Sequence, residues 1–283
     1  MMVPMDRPDG YELLDAGDGR RLERFGALIV DRPAPMAEEP RRDPPAWNRA
    51  DLRFRRYVGW DSVGDDEPGP WPLRDGDLAF ELRPTETGQV GYFPEQASNR
   101  AWIRDVIGGL GGTTSVLNLF AYTGAVTLSA AVAGASVTHV DGSRPTVAWA
   151  RQNAALSGLE DRPIRWIVDD VDAFVARELR RERRYDAVVL DPPSYGHGTG
   201  GHPWRLEERL AGLLDASAAG TSGDPAFVVL TAHTPGFGPE RLAEELAIAF
   251  HRRTADIEAG ELGLRARSGA HLRLGAFARM IRG

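Results

Sequence analysis

The chain has no cysteine, which removes disulfides, thiolate metal sites and any cysteine nucleophile. It has no lysine either. All 34 basic residues are arginines, so Schiff-base chemistry is excluded, and so is a phosphate loop of the G-x-x-x-x-G-K type. No apolar run approaches the roughly 18 residues of a membrane-spanning helix, and no signal-peptide pattern precedes the first periodic segment, so a globular protein of the cytoplasm is expected. A formal net charge of −7 argues against a uniformly basic nucleic-acid surface. Local patches stay open, because arginines cluster at Arg41-Arg42, Arg53 to Arg56 and Arg177 to Arg184. Such clusters are usually solvated faces.

At 283 residues and 42% hydrophobic composition the chain can bury a sizeable core, as two domains or one large domain with an appendage. Residues 1 to about 75 hold ten of the twenty prolines and the turn signals Asp9-Gly10, Asp18-Gly19 and Pro68-Gly69. With short apolar runs at Phe25 to Val30 and Leu78 to Leu82, this part reads as a small β-rich domain, 1–84, with a loop from Pro33 to Pro45. Trp47, Trp60 and Trp71 stand among arginines and glycines; packing a small β-core is the simpler reading, stacking on bases the alternative.

Beyond residue 85 the pattern changes to alternating strands and helices. A helix is expected over Ala97 to Ile107, ended by Gly108-Gly109. Val116 to Phe120 is a short apolar run that reads as a strand, Tyr122-Thr123-Gly124 breaks it, and Ala125 to Ala131 suits a helix start. Such a turn presents backbone N–H groups and a positive dipole end to a small ligand, and Gly124 permits close approach. The dinucleotide fingerprint needs three glycines here and only Gly124 is present, so NAD and FAD are disfavoured. The next strand, Ser136 to Val140, ends at Asp141, placed to accept two hydrogen bonds from a ribose diol or to cap the helix that follows. Ile164 to Val168 is a third strand with Asp169-Asp170 at its end, followed by a helix over Val171 to Arg180. Tyr185 to Leu190 is a fourth, running into Asp191-Pro192-Pro193-Ser194-Tyr195. Continuously apolar strands separated by helices predict a parallel sheet covered on both faces, with its ligands at the carboxyl edge. That edge collects Gly124, Asp141, Asp170 and Asp191.

Two consecutive prolines stiffen the chain and lack N–H donors, leaving carbonyls that only accept. Asp191 and the adjacent carbonyl can therefore hold an amino group, with Tyr195 covering a planar ring; a rigid strand-end turn is the alternative. The glycine-rich His197 to His202 suits a loop that closes over substrate. Its two histidines are poor support for a metal, and none is expected. A helix over Arg205 to Ala216, a fifth strand over Ala226 to Thr231, a helix over Pro239 to His251 and two terminal strands near Ala255 to Leu262 and Leu272 to Ile281 complete the chain. The last two predict a hairpin, with one strand antiparallel in an otherwise parallel sheet.

The ordered motifs LNLFAYTG, HVDGS, VDD, VVLDPPSYG and VVLTAH, preceded by Thr87-Gly88, Phe93 to Gln96 and Asn99-Arg100, resemble the class I S-adenosylmethionine-dependent methyltransferases. The closest likeness is to the subgroup of bacterial large-subunit ribosomal RNA methyltransferases, over residues 85–283. The resemblance implies an α/β Rossmann-like fold with a mainly parallel seven-stranded sheet and an antiparallel C-terminal strand, beside the β-rich N-terminal domain. It implies that Asn118, Phe120, Tyr122, Thr123 and Gly124 surround the methionine part of S-adenosylmethionine, that Asp141 holds its ribose and Asp170 its adenine amino group, and that Gln96 helps to close the pocket. Asp191, Pro192 and Tyr195 would face the acceptor. Some relatives carry a cysteine after the fifth strand that attacks C6 of cytosine; here that region reads Leu230-Thr231-Ala232-His233-Thr234-Pro235, so that adduct is impossible. Direct transfer to an RNA base, ribosomal RNA in particular, is the expected reaction. A small molecule or protein side chain is the alternative acceptor, and a non-catalytic cofactor-binding module the third reading. No membrane partner is expected, and a homodimer is left open.

Overall fold

The computed structural model describes residues 9–62, 69–197 and 203–282. Residues 198–202 of the expected closing loop, His197 to His202, and Pro68 of the Pro68-Gly69 turn lie outside them. Two compact units are formed, Met1–Glu95 with Gly263–Leu274, and Gln96–Leu262 with Gly275–Gly283.

In the first unit, β1 (Tyr11–Gly17), β2 (Arg20–Phe25), β3 (Leu28–Pro33), β4 (Leu52–Arg55) and β5 (Gly59–Ser62) form one sheet in that order, and β6 (Trp71–Asp75) pairs with β7 (Leu78–Leu82). The run Phe25 to Val30, expected as one strand, is the hairpin joining β2 to β3. Gly26 adopts φ +57°, and a Cβ there would meet the Pro72 carbonyl oxygen at 2.6 Å, so the chain reverses where its hydrophobicity is continuous. Trp47 and Trp71 are buried, donating to Asp15 Oδ2 (2.8 Å) and the Phe25 carbonyl (3.1 Å), and Trp60 donates to the Thr85 carbonyl at 2.7 Å. The β-core reading of the tryptophans therefore holds. Glu23, wholly buried, pairs with Arg32 (2.5 Å) and Arg21 (3.3 Å) and accepts from Tyr11. Burial alone raises this carboxyl, but the two guanidinium groups outweigh it and hold it below its ordinary range.

The division at 95/96 differs from the boundary expected at 84/85, and it adds a distant segment. Ala266, Ala270 and Leu272 share an apolar cluster with Leu13, Ala16, Ala34 and Ala37, while Ser268 donates to Asp15 at 2.6 Å. Contacts across some 250 residues leave no trace in local pattern.

The second unit opens with α1 (Ala97–Gly109), which ends at the glycine pair expected to stop it. There follow β8 (Ser115–Leu119), α2 (Ala125–Val132), β9 (Ser136–Asp141), α3 (Arg144–Leu156), β10 (Ile164–Val168), α4 (Val171–Arg180) and β11 (Ala187–Leu190). After a short pair, β12 (Tyr195–His197) and β13 (Pro203–Arg205), come α5 (Leu206–Ala219), β14 (Phe227–Ala232), α6 (Pro239–Ala249), β15 (Glu258–Arg265) and β16 (His271–Ile281). The seven-stranded sheet runs β10-β9-β8-β11-β14-β16-β15. Its first five strands are parallel, and β16 is antiparallel to β14.

One face of the sheet packs on Ile103, Ile107, Ala130 and Ala131 of α1 and α2; the other packs on Phe174, Leu210, Leu214, Leu242 and Leu246 of α4, α5 and α6. Each fully buried leucine or phenylalanine stabilises by roughly 1.5–3 kcal/mol over its exposed state. This two-sided burial explains why β11 reads as an unbroken apolar run and β14 as one broken only by Thr231. From β8 the chain winds to β9 and β10 on one side, and then returns to β11 and β14 on the other. The order therefore reverses between β8 and β11, where a crevice opens at the carboxyl ends.

Candidate active site at the carboxyl edge of the parallel sheet

Leu119 pairs with Val140 on one side and Leu190 on the other, so the turn after β8 lies between Asp141 and Asp191. The turn is strained. Phe120 (φ +56°), Tyr122 (φ +50°) and Gly124 (φ +92°) are all left-handed, and non-glycine residues in that region cost about 1 kcal/mol or more each. Its hydrogen bonds hold it in place: Ala121 N–H donates to the Val140 carbonyl (3.0 Å), Gly124 N–H to the Ala121 carbonyl (3.1 Å) and Tyr122 N–H to Asp141 Oδ2 (2.9 Å). Those three N–H groups, expected to face a ligand, are spent on the turn itself. The glycine also has a packing reason, since a Cβ at Gly124 would lie 3.2 Å from Ala150 Cβ of α3.

Asp141 accepts a second backbone bond, from Ser143 N–H to Oδ1 (2.9 Å). The cap of α3 is Ser143, whose hydroxyl accepts from Thr146 N–H at 3.3 Å, so Asp141 is not the capping residue. Burial raises the Asp141 carboxyl above its ordinary value, and the two N–H bonds only partly offset this. Asp170 does cap a helix: its Oδ1 accepts from Ala173 N–H at 2.9 Å at the start of α4. Thr123 is buried, and its carbonyl accepts from Asn153 Nδ2 at 2.9 Å. The Asn118 side chain donates to Thr127 Oγ1 (2.9 Å), which lies 2.9 Å from His139 Nδ1. This relay is buried, and burial pushes the His139 imidazole down to about 3.

On the other side of the turn, the Phe120 ring lies 5.2 Å from that of Trp204, whose Nε1 donates to the Pro193 carbonyl at 2.9 Å. Ser194 accepts from Thr234 Oγ1 (2.7 Å) through its hydroxyl, and from Leu206 N–H through its carbonyl (3.3 Å). Asp191-Pro192-Pro193-Ser194 is thus tied down on several sides, with Pro192 buried and the Tyr195 side chain 77% exposed on β12. Asp191 Oδ1 accepts from Thr231 Oγ1 at 2.5 Å and has His233 Nε2 at 3.3 Å, while Oδ2 accepts from Gln96 Nε2 at 3.1 Å. Burial works to raise this carboxyl, but His233 and the donated hydrogen bonds outweigh it and hold it below its usual range. Gln96, expected to help close the cofactor pocket, makes hydrogen bonds to Asp191 and Thr231. Thr231 and His233 were not singled out from the sequence as site residues, although their stretch was already marked as the place where a cysteine is missing.

The arginine clusters are ion-paired in part. Arg53 pairs with Asp31 (2.7 Å), Arg55 with Asp61 (3.0 Å), Arg41 with Asp18 (3.3 Å), Arg42 with Glu39 (3.0 Å) and Arg177 with Asp169. Among the described residues, no group of histidines and carboxylates could hold a metal ion, and no helix is long and apolar enough to cross a membrane.

A family profile of S-adenosylmethionine-dependent methyltransferases matches residues 50–250. The ribosomal RNA large subunit methyltransferase I of Klebsiella pneumoniae (strain 342) is 26% identical over 216 residues, covering 69% of this chain and 53% of that protein. The chain thus spans about half the length of the curated relatives it matches. A crystal structure of the S-adenosylmethionine-dependent methyltransferase from Agrobacterium tumefaciens superposes with a TM-score of 0.89 at 33% identity, over 99% of this chain and 97% of that one. SMU.776, described as a methyltransferase candidate and crystallised with SAH, shares the fold at 16% identity with a TM-score of 0.76, over 98% of this chain and 76% of that one. With the profile spanning most of its length and a solved relative matching it almost end to end, the chain belongs to the S-adenosylmethionine-dependent methyltransferases.

Proposed function

We propose that this methyltransferase modifies an RNA base, the class of substrate for which its curated relatives are named, by direct transfer without a covalent adduct. The observation that carries this reading is Asp191, held ionised by its hydrogen bonds at the carboxyl end of β11, four residues before the exposed Tyr195. A fixed acceptor followed closely in the chain by an accessible aromatic side chain suits a planar heterocycle that carries N–H donors. Bound S-adenosylmethionine supplies an electrophilic methyl group on a sulfonium centre. Asp141, with two of its lone-pair positions occupied by backbone N–H groups, offers the others to a ribose diol. Phe120, Tyr122, Thr123 and Gly124 line the methionine end, Asn118 braces the turn from beneath through Thr127, and Asp170 receives the adenine amino group beside its capping bond. Asp191 and the Pro192 carbonyl orient the acceptor, Tyr195 covers its ring, and Gln96 aligns Asp191. Rate is gained by placement in the attack geometry. Residues 1–84, treated as a domain, guide the substrate within this reading, and a cytoplasmic location and a homodimeric assembly belong to the same proposal.

One observation favours a small-molecule or protein acceptor instead: the net charge is −7, and Arg53 and Arg55 are already ion-paired. Labelled methyl donor, incubated with total RNA and with small-molecule extract from cells lacking the protein, separates the two. Label is expected in RNA. Asp191→Ala is expected to leave donor affinity unchanged while turnover falls about 10²-fold. Label confined to the small-molecule fraction overturns the RNA reading, and undiminished uptake with the variant removes Asp191 from the mechanism.

A further inference from the structure

Asp191 carries more partners than contact with a substrate requires. Thr231 Oγ1 donates to Oδ1 at 2.5 Å, and this takes the hydroxyl proton in preference to the Leu190 carbonyl at 3.4 Å. His233 Nε2 lies 3.3 Å from the same oxygen. Gln96 Nε2 donates to Oδ2 at 3.1 Å, and the orientation of this amide is set by its other end, where Oε1 accepts from Asn99 Nδ2 at 3.0 Å. Asn99 is oriented in turn, because its Oδ1 accepts from Arg279 Nη1 at 3.3 Å, and Arg279 is paired with Glu258 at 2.5 Å. A chain of donors therefore points from Arg279 through Asn99 and Gln96 to the carboxylate.

The imidazole follows the same logic. A neutral ring protonated on Nδ1 would aim the Nε2 lone pair at a carboxylate oxygen, so the proton sits on Nε2 whether the ring is neutral or charged. Each carboxylate oxygen has about two lone-pair positions. Those of Oδ1 are filled by Thr231 and His233, and Oδ2 keeps one beside Gln96.

We infer that His233 is a positioning residue of this centre: with Thr231 and Gln96 it fixes Asp191 as a carboxylate with one open lone pair, on Oδ2, so that the site selects an acceptor presenting an N–H there and rejects one presenting a carbonyl. The inference rests on the proposal that Asp191 faces the acceptor. It narrows the substrate class to heterocycles whose reacting edge carries an amino or imino hydrogen. The cost of a misfit is asymmetric, because a carbonyl facing this half-buried carboxylate is repelled and leaves that oxygen without a donor.

The test uses the full chain with His233→Ala and His233→Gln, the second of which can return an N–H close to the Nε2 position. The Asp191 carboxyl, followed by carbon-13 NMR titration, is expected to move up in pH in His233→Ala and back toward the wild type in His233→Gln. On whichever fraction takes label, His233→Ala is expected to lower kcat/KM about tenfold and His233→Gln to restore it to within about threefold, with donor affinity unchanged in both. An Asp191 titration unmoved by His233→Ala overturns the inference, whatever the acceptor proves to be. Loss of activity in both variants alike also overturns it, since a merely structural histidine behaves so. A shifted titration with no label in RNA would instead refute the RNA reading and leave the role of His233 standing.

Discussion

Replacing Asp141 with alanine removes a carboxylate whose direction is already set. Tyr122 N–H and Ser143 N–H each hold one oxygen at 2.9 Å, which leaves one lone pair on each oxygen, side by side at the carboxyl end of β9. Two neighbouring acceptors match the two hydroxyls of a ribose diol. A hydrogen bond to a charged group contributes about 1.5–3 kcal/mol, but this carboxylate remains partly exposed and water replaces some of what is lost, so about 1–3 kcal/mol in total is expected. That corresponds to a rise in the Kd for S-adenosylmethionine of roughly 5- to 150-fold. Titration calorimetry on wild type, Asp141→Ala and Asp141→Asn measures it, with the asparagine variant between the other two because it retains one acceptor oxygen. The pH dependence has a definite sign. Burial raises the Asp141 carboxyl in the protein, so on acidification the acid protonates, and donor binding weakens, at a higher pH than the ordinary value of 3.8 implies; both variants abolish that dependence. A Kd for Asp141→Ala within about twofold of wild type, in a protein of unchanged thermal stability, refutes the reasoning, since hydrogen bonds of this kind cannot be lost so cheaply.

Two further outcomes concern the scaffold beneath the site. His139 is neutral when folded, its imidazole pushed down to about 3 by burial from an ordinary 6.5, whereas the unfolded chain binds a proton below 6.5. Stability is therefore fully present above 6.5 and declines as the pH falls toward 3, by about 1.4 kcal/mol per pH unit; calorimetric unfolding of wild type and His139→Gln should show a steeper decline in the wild type, and parallel curves refute it. Gly124→Ala combines a left-handed backbone with a Cβ 3.2 Å from Ala150 Cβ, so a loss of about 1–3 kcal/mol and weaker donor binding are expected, and an unchanged Tm contradicts the strain assigned to the turn.

What the sequence by itself determined was the order of elements in the second unit, the short β12–β13 pair excepted, and the residues at its carboxyl edge. Period, length and turn chemistry are local. The uninterrupted apolar stretch before Asp191 already implies a strand buried on both faces, and Gly124 already implies a break between strand and helix. The terminal hairpin was legible for the same reason. Local pattern failed where hydrophobicity ran through a reversal at Gly26-Ala27. Only the tertiary structure decided which polar groups meet. Gln96 and Thr231 reach Asp191 across 95 and 40 positions of chain, His233 arrives with Thr231, and residues 263–274 complete the core of the N-terminal unit. Such pairings depend on strand order and register, which place Leu119 between Val140 and Leu190 and so set the ends of three separate strands side by side. A histidine near the end of a strand has no signature of its own. It becomes part of a site only when folding brings a carboxylate within reach.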